Sequence, residues 1–296
     1  MDDSHVDLAT VRRRLVRHWG ATVRVGEVYV EHHERVVFQS VTPTGTRVVV
    51  KAFADPARLA VELAALRAAG TAGVVVPEVV EHLPGLLVLS WLDGEPLRST
   101  SPDRYWSAAG STLRRLHENA ATHDIPAAGS DDWWGWLRGW LPEARERTRE
   151  LLPGAVADRL SRILEDGYAT ADVPPKRLLH GDSASIHWRI GHDGVAAMLD
   201  FGDACVGDPV WDLVVLTHWD EGRLAAVLGG YRADPALRAR VDLLFEPYRV
   251  TRHLLAVDWL LDHGYDAHAT LRELTRLASW TGRDRTAPIG WARKGD

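Results

Sequence analysis

The sequence has little of what would place it in several common classes. Its single cysteine, Cys205, in 296 residues excludes an internal disulfide framework and fits a reducing, cytoplasmic setting. Long apolar runs are missing: runs such as Val74-Val75-Val76 and Leu86-Leu87-Val88-Leu89 fall far short of the ~20 residues a membrane-spanning helix needs. The opening Met1-Asp2-Asp3 is acidic and is not followed by a basic stretch and an apolar core, so no secretory leader is expected. There is no internal repeat and no low-complexity segment. A G-x-S-x-G elbow is absent, which disfavours a serine hydrolase. His187 and His192 have neither a cysteine partner nor an H-E-x-x-H pattern beside them, so no zinc site is expected there. Cys205 reads as a small packed residue rather than a catalytic thiol.

Positive charge is also short, and the shortage is local. The first 90 residues hold ten acidic and ten basic side chains, and the rest hold 31 acidic against 25 basic, which accounts for the whole net charge of −6. An acidic C-terminal part disfavours nucleic acid and suits a cationic partner. With 46% hydrophobic and 26% charged residues, the chain has the balance of an ordinary globular protein, long enough for two lobes around a cleft.

The pattern along the chain changes once. After an amphipathic helix over residues 8–19, alternating β-branched runs at Val23–Glu31, Val36–Val41 and Val48–Phe53 predict an antiparallel meander. Asp55-Pro56 opens a helix that Gly70 should end. Strands are expected near Val79–His82 and Leu86–Trp91. Beyond Pro96 helices dominate, at Tyr105–Asn119, Trp133–Leu152, Ala155–Tyr168 and most of 209–280, interrupted by strands at Arg177–Gly181 and Val195–Asp200. This predicts an α+β, bilobal chain: an N-terminal lobe of sheet plus helix over 1–92, a larger, mainly helical lobe over 93–296, and a hinge at Ser90–Pro96. The tail after Thr281 is expected to be loosely held.

Chemistry concentrates in Leu179-His180-Gly181-Asp182, Met198-Leu199-Asp200-Phe201-Gly202-Asp203, and Gly207-Asp208-Pro209 followed by Asp212-Leu213. Asp182 and Asp200 each end a short apolar strand, and their spacing suits an out-and-back hairpin that would bring both to one edge of a cleft. Phosphoryl transfer needs such a pair, one carboxylate to orient a hydroxyl and accept its proton, the other to hold Mg2+ on nucleotide phosphates.

These segments resemble the aminoglycoside phosphotransferases and, more broadly, the macrolide, capreomycin/viomycin, choline and homoserine kinases of the same protein-kinase-like superfamily. The order and spacing match over roughly residues 20–265, most sharply at 179–213. The resemblance implies a bilobal kinase fold and a role for each matching residue. Asp182 would be the catalytic base and Asp200 the principal Mg2+ ligand, while His180 and Asp212 would shape the catalytic loop. Lys51, ending Arg47-Val48-Val49-Val50-Lys51, and Glu62 in the following helix stand in the order of the kinase strand lysine and its glutamate partner. In Leu89-Ser90-Trp91-Leu92, backbone groups of Ser90, Trp91 and Leu92 would face the purine of ATP or GTP.

The chain departs from that pattern twice. His187 stands where the family usually has asparagine, as it does in macrolide kinases, and is expected to be a second metal ligand. Glu31-His32-His33-Glu34 replace a glycine-rich loop in the first hairpin turn.

For the acceptor, Asp131, Asp132 and Trp136 would form an aromatic and acidic wall, with Asp203, Glu246, Tyr248, Asp258 and Asp262 as further contacts. The implied activity is ATP- or GTP-dependent O-phosphorylation of a small molecule, first a cationic antibiotic (aminoglycoside or basic cyclic peptide), then a macrolide. Open alternatives are a metabolic kinase of choline, homoserine or a sugar, and a nucleotide-binding pseudokinase. Neither a membrane nor a nucleic-acid partner is expected, and the chain is expected to be a monomer or homodimer.

Overall fold

The computed structural model describes residues 6–20, 22–122, 125 and 133–279. Asp131, Asp132 and the tail after Thr281 lie outside the described residues. The N-terminal region begins with α1 (Leu8–Trp19), capped by Asp7, whose carboxylate accepts from the Thr10 N–H. Then come β1 (Arg24–His32), β2 (Arg35–Val41), β3 (Arg47–Phe53), α2 (Pro56–Thr71), β4 (Val79–Leu83) and β5 (Leu86–Ser90). The five strands form one antiparallel sheet in the order β1-β2-β3-β5-β4.

Period-two alternation in β3 decides what each face does. Val48, Val50 and Ala52 pack with Val11 and Leu15 of α1 in one buried cluster. Lys51 therefore turns to the opposite face, toward α2. That helix runs through Gly70 and ends at Thr71, one residue past the glycine expected to stop it. Gly73, at φ 77°, is the residue that takes the left-handed conformation.

The remainder is mainly helical: β6 (Glu95–Pro96), α3 (Asp103–Asn119), α4 (Trp133–Arg149), α5 (Gly154–Ala169), β7 (Arg177–Leu179), β8 (Trp188–Ile190), β9 (Ala196–Met198), β10 (Cys205–Gly207), α6 (Pro209–Thr217), α7 (Leu224–Tyr231), α8 (Pro235–Asp262) and α9 (His268–Ser279). None of the described helices is long and apolar enough to cross a membrane.

One expectation is corrected here. The strands that precede Asp182 and Asp200 are not partners in a hairpin. β7 pairs with β10, and β9 pairs with β8. The chain leaves β7, makes a separate hairpin, and returns past Asp200 to lie beside β7. Both carboxylates still come together: Leu178, Leu179, Trp188, Met198 and Phe201 share one buried apolar cluster, and the His187 ring lies within 4.0 Å of both carboxylates.

Candidate active site

Asp182 is held by its loop before it makes any contact of its own. The backbone N–H groups of His180 and Gly181 donate to the two oxygens of Asp212, at 2.7 and 3.0 Å. Asp212 is fully buried in α6 and takes a third bond from His117 Nε2 at 3.0 Å. Ser183 Oγ donates to the Asp212 carbonyl at 2.7 Å, and Trp211 Nε1 donates to the Gly181 carbonyl at 2.8 Å. Gly181 has φ 84°, and a Cβ there would stand 1.8 Å from the Asp203 carbonyl oxygen, so no other residue fits. His180 turns inward: its Nε2–H donates to the Leu199 carbonyl at 2.7 Å, and its ring packs on Phe201 at 4.7 Å. The two chemical segments are thereby tied to each other.

Asp200 has φ 62°, in the left-handed region that a residue with a side chain avoids at a cost of order 1–3 kcal/mol. Its carboxylate explains why the conformation persists. Lys51 Nζ lies 2.9 Å from Oδ1, and Arg35 NH1 lies 3.0 and 3.2 Å from the two oxygens. Lys51 also donates to Glu62 at 2.5 Å, and both are buried. Burial alone would raise the Asp200 carboxyl, but Lys51, Arg35 and His187 outweigh it and hold the group below the usual carboxylate range. Lys51 is shifted in the other direction. Burial would lower the ammonium, yet Asp200 and then Glu62 hold it above its ordinary value.

His187 links the two carboxylates. Its Nε2 is 3.5 Å from Asp182 Oδ2, and its Nδ1 is 4.0 Å from Asp200 Oδ2. Asp182 has a further partner in Arg252 of α8, whose NH2 lies 2.9 Å from Oδ1. Burial pushes the Asp182 carboxyl up, Arg252 and then His187 push it down, and the balance leaves it well below the carboxylate range. Sequence reasoning missed Arg35 and Arg252. Nothing marks either one locally, since a charged residue on a strand or helix reads as a solvated face.

The other expected site residues are scattered. The Ser90 N–H donates to the Glu78 carbonyl at 2.8 Å, and its hydroxyl accepts from the Glu78 N–H at 2.9 Å. The Trp91 indole donates to Asp93 at 2.9 Å beneath the Arg47 guanidinium. Leu92 follows in the irregular segment that leads into β6. Trp136 is half-buried and stacks on Trp133 at 5.1 Å. Tyr248 is fully buried, donating to Asp208 and accepting from Trp133 Nε1, each at 2.8 Å, so it belongs to the core rather than to an open wall. Asp203 pairs with Arg58 at 2.7 Å. Asp258 and Asp262 share one α8 face, where Arg147 of α4 reaches both, at 2.6 and 2.8 Å. Glu246 is partly exposed on α8.

The model of the phosphotransferase enzyme family matches residues 30–244. No curated protein matches the chain. Among solved structures, the chain is similar to a thermostable mutant of the aminoglycoside phosphotransferase APH(4)-Ia, with TM-score 0.68 and 15% identity over 90% of this chain and 98% of that one. It is similar to a choline/ethanolamine kinase family protein from Mesorhizobium loti, with TM-score 0.66 and 19% identity over 94% and 96%. It is also similar to the macrolide 2'-phosphotransferase MphH from Brachybacterium faecium, with TM-score 0.62 and 20% identity over 90% and 98%. With a family model covering most of its length and a kinase-like fold throughout, the chain belongs to the phosphotransferase enzyme family, as a small-molecule kinase whose acceptor is a hydroxyl group.

Proposed function

We propose that the chain transfers the γ-phosphoryl group of ATP or GTP to a hydroxyl of a cationic, amine-bearing small molecule, most plainly an antibiotic of the aminoglycoside, basic cyclic-peptide or macrolide kind. The observation that carries the reading is the convergence of Asp182 and Asp200 on one imidazole, with Lys51 and Glu62 paired behind Asp200.

In this reading Asp182 accepts the hydroxyl proton as the acceptor oxygen bonds to the γ-phosphorus. The bond from phosphorus to the β-γ bridging oxygen breaks, and its electron pair leaves with the nucleoside diphosphate. The depressed pKa keeps Asp182 ionised at neutral pH, so it works chiefly by orienting the hydroxyl, which suffices for a loose transition state. Lys51 and Arg35 neutralise phosphate oxygens, and Glu62 fixes the Lys51 ammonium. Ser90 already uses its N–H and hydroxyl on Glu78, so Trp91 and Leu92 supply the backbone groups for the purine.

The donor set fits Mg2+. Asp200 offers a carboxylate oxygen, which that ion prefers, with the His187 imidazole beside it. When bound, Mg2+ would neutralise the β- and γ-phosphates.

A cationic acceptor is supported by the net negative charge of the second lobe and by Glu246. Trp219, 53% exposed, packs on His253 at 4.8 Å near Arg252 and offers an aromatic face to an amine. Phosphorylation would set a dianion on a molecule that relies on positive charge, which would inactivate an antibiotic. The likeness to a choline/ethanolamine kinase family protein favours a second reading, a metabolic amino-alcohol kinase.

Mass spectrometry of Mg2+-dependent transfer decides between them. Purified protein meets ATP or GTP and a panel of aminoglycosides, basic cyclic peptides, macrolides, choline and homoserine. One phosphoryl group gained by an antibiotic class establishes the first reading, and by choline the second. Nucleotide binding without transfer to any of them points to a binding-only role.

A further inference from the structure

The first hairpin turn holds histidines where a phosphate loop would have glycines. It does not stand free over the cleft. His32 ends β1, and His33 and Glu34 form the turn. All three meet His263, which caps the C-terminal end of α8 in the other lobe. The His33 ring stacks on His263 at 5.3 Å, and the His32 ring meets it edge-on at 4.9 Å. One ring nitrogen from each of the three histidines lies within 4.8 Å of the other two.

His263 is set up as a ligand. Its Nδ1–H donates to the Trp259 carbonyl at 2.8 Å, and its ring stacks on the Trp259 indole at 4.2 Å. A backbone carbonyl on one ring nitrogen fixes the tautomer and leaves the lone pair on the other, the arrangement that metal-bound histidines use. Here the other nitrogen, Nε2, is buried and has no hydrogen-bond partner. A buried polar atom left unsatisfied is costly unless something binds it. The nearest acid is Glu34, whose carboxylate is 3.5 Å from His263 Nε2 and 4.0 Å from His33 Nε2. Arg58 is 3.6 Å from that carboxylate but already has Asp203 at 2.7 Å.

We propose that His32, His33 and His263 form a Zn2+ site, with Glu34 as its oxygen donor, that ties the first hairpin to the end of α8 across the mouth of the cleft. Three imidazoles and a carboxylate suit Zn2+ rather than Mg2+, so this site and the Asp200 site sort the two ions by chemistry. A tetrahedral Zn2+ needs donors about 3.3 Å apart. The exposed His33 side chain and the Glu34 side chain supply the adjustment by rotation. Arg35, two residues past His33, reaches Asp200. A metal-pinned hairpin would therefore also fix the cation that faces the nucleotide phosphates.

The test is Zn2+ binding by the chelator-stripped full chain, titrated against a chromogenic zinc chelator. Co2+ is used in parallel for its tetrahedral ligand-field bands. Binding of one Zn2+ is expected, with tetrahedral Co2+ bands and affinity unchanged in His187→Ala. His263→Ala and His33→Gln should each weaken binding at least about ten-fold, since disturbing even an outer-shell partner costs that much. The His33→Gln variant lies in an exposed turn and keeps the test readable if His263→Ala does not fold. Equal affinity in the hairpin variants, loss only in His187→Ala, or no metal retained by the wild type would each overturn the site.

Discussion

The two carboxylates at the cleft are both matched by cations, but the cations come from different places. Asp200 is met by Lys51 of β3 and Arg35 of β2, so its charge balance is made across the lobes. Asp182 is met by Arg252 of α8 and by His187, all within the second lobe. In the proposed reading the nucleotide side of the cleft draws its charge balance from both lobes, whereas the acceptor side draws its own from one.

The largest effects should separate these halves. Asp200→Ala should abolish Mg2+-dependent nucleotide binding, measured by calorimetry. Asp182→Asn should leave that binding intact and lower turnover roughly 10²–10⁴-fold, the usual worth of a general base. Full turnover in Asp182→Asn, or unchanged nucleotide affinity in Asp200→Ala, would break the comparison. The arginines give a finer division. Arg252→Ala should reduce kcat by about 10- to 100-fold through misplacement of the base, with nucleotide KM unaltered. Arg35→Ala should raise the nucleotide KM instead. If both changed the same parameter, the cleft would not divide as described.

Much of the fold, and the two loops that carry the carboxylates, was legible in the sequence, for physical reasons. The loops at 179–182 and 199–203 are fixed by backbone conformation, so their glycines, aspartates and apolar strand residues leave a dense local pattern. The meander was legible because strands of seven residues give alternation room to show. The pairing of β7 with β10 was not, because strands of three residues carry too little periodicity to set a partner. Arg252 was beyond reach because 70 residues separate it from Asp182 and its helix offers many equivalent charges. The acidic face at Asp258 and Asp262 shows the converse. Local spacing found the shared face, but Arg147, over a hundred residues earlier, decides what that face meets.

The smallest effect on turnover is expected behind the acceptor side, where His218 and His253 pack at 5.3 Å. Burial is the main cause that lowers both imidazoles, His218 to about 4 and His253 to about 2. The unfolded chain takes up these protons below about pH 6.5, while the folded chain refuses them, so stability is lost as pH falls from there toward the folded values. Asp182 and Asp200 also have depressed pKa values, but their contribution is present above the unfolded carboxylate value of about 4 and is lost only below it. Between about pH 6.5 and 4 the histidines therefore act alone. His253→Phe keeps a ring against Trp219 and removes a nitrogen, Nε2, that is buried without a partner. It should flatten the loss from pH 6.5 down to about 2 by at most about 1.4 kcal/mol per pH unit, the slope of one proton, while the loss that the carboxylates add below about pH 4 stays in place. Thermal unfolding followed across this range measures both windows. An unchanged slope above pH 4 would mean that the acid sensitivity of the acceptor side lies in its carboxylates, as on the nucleotide side.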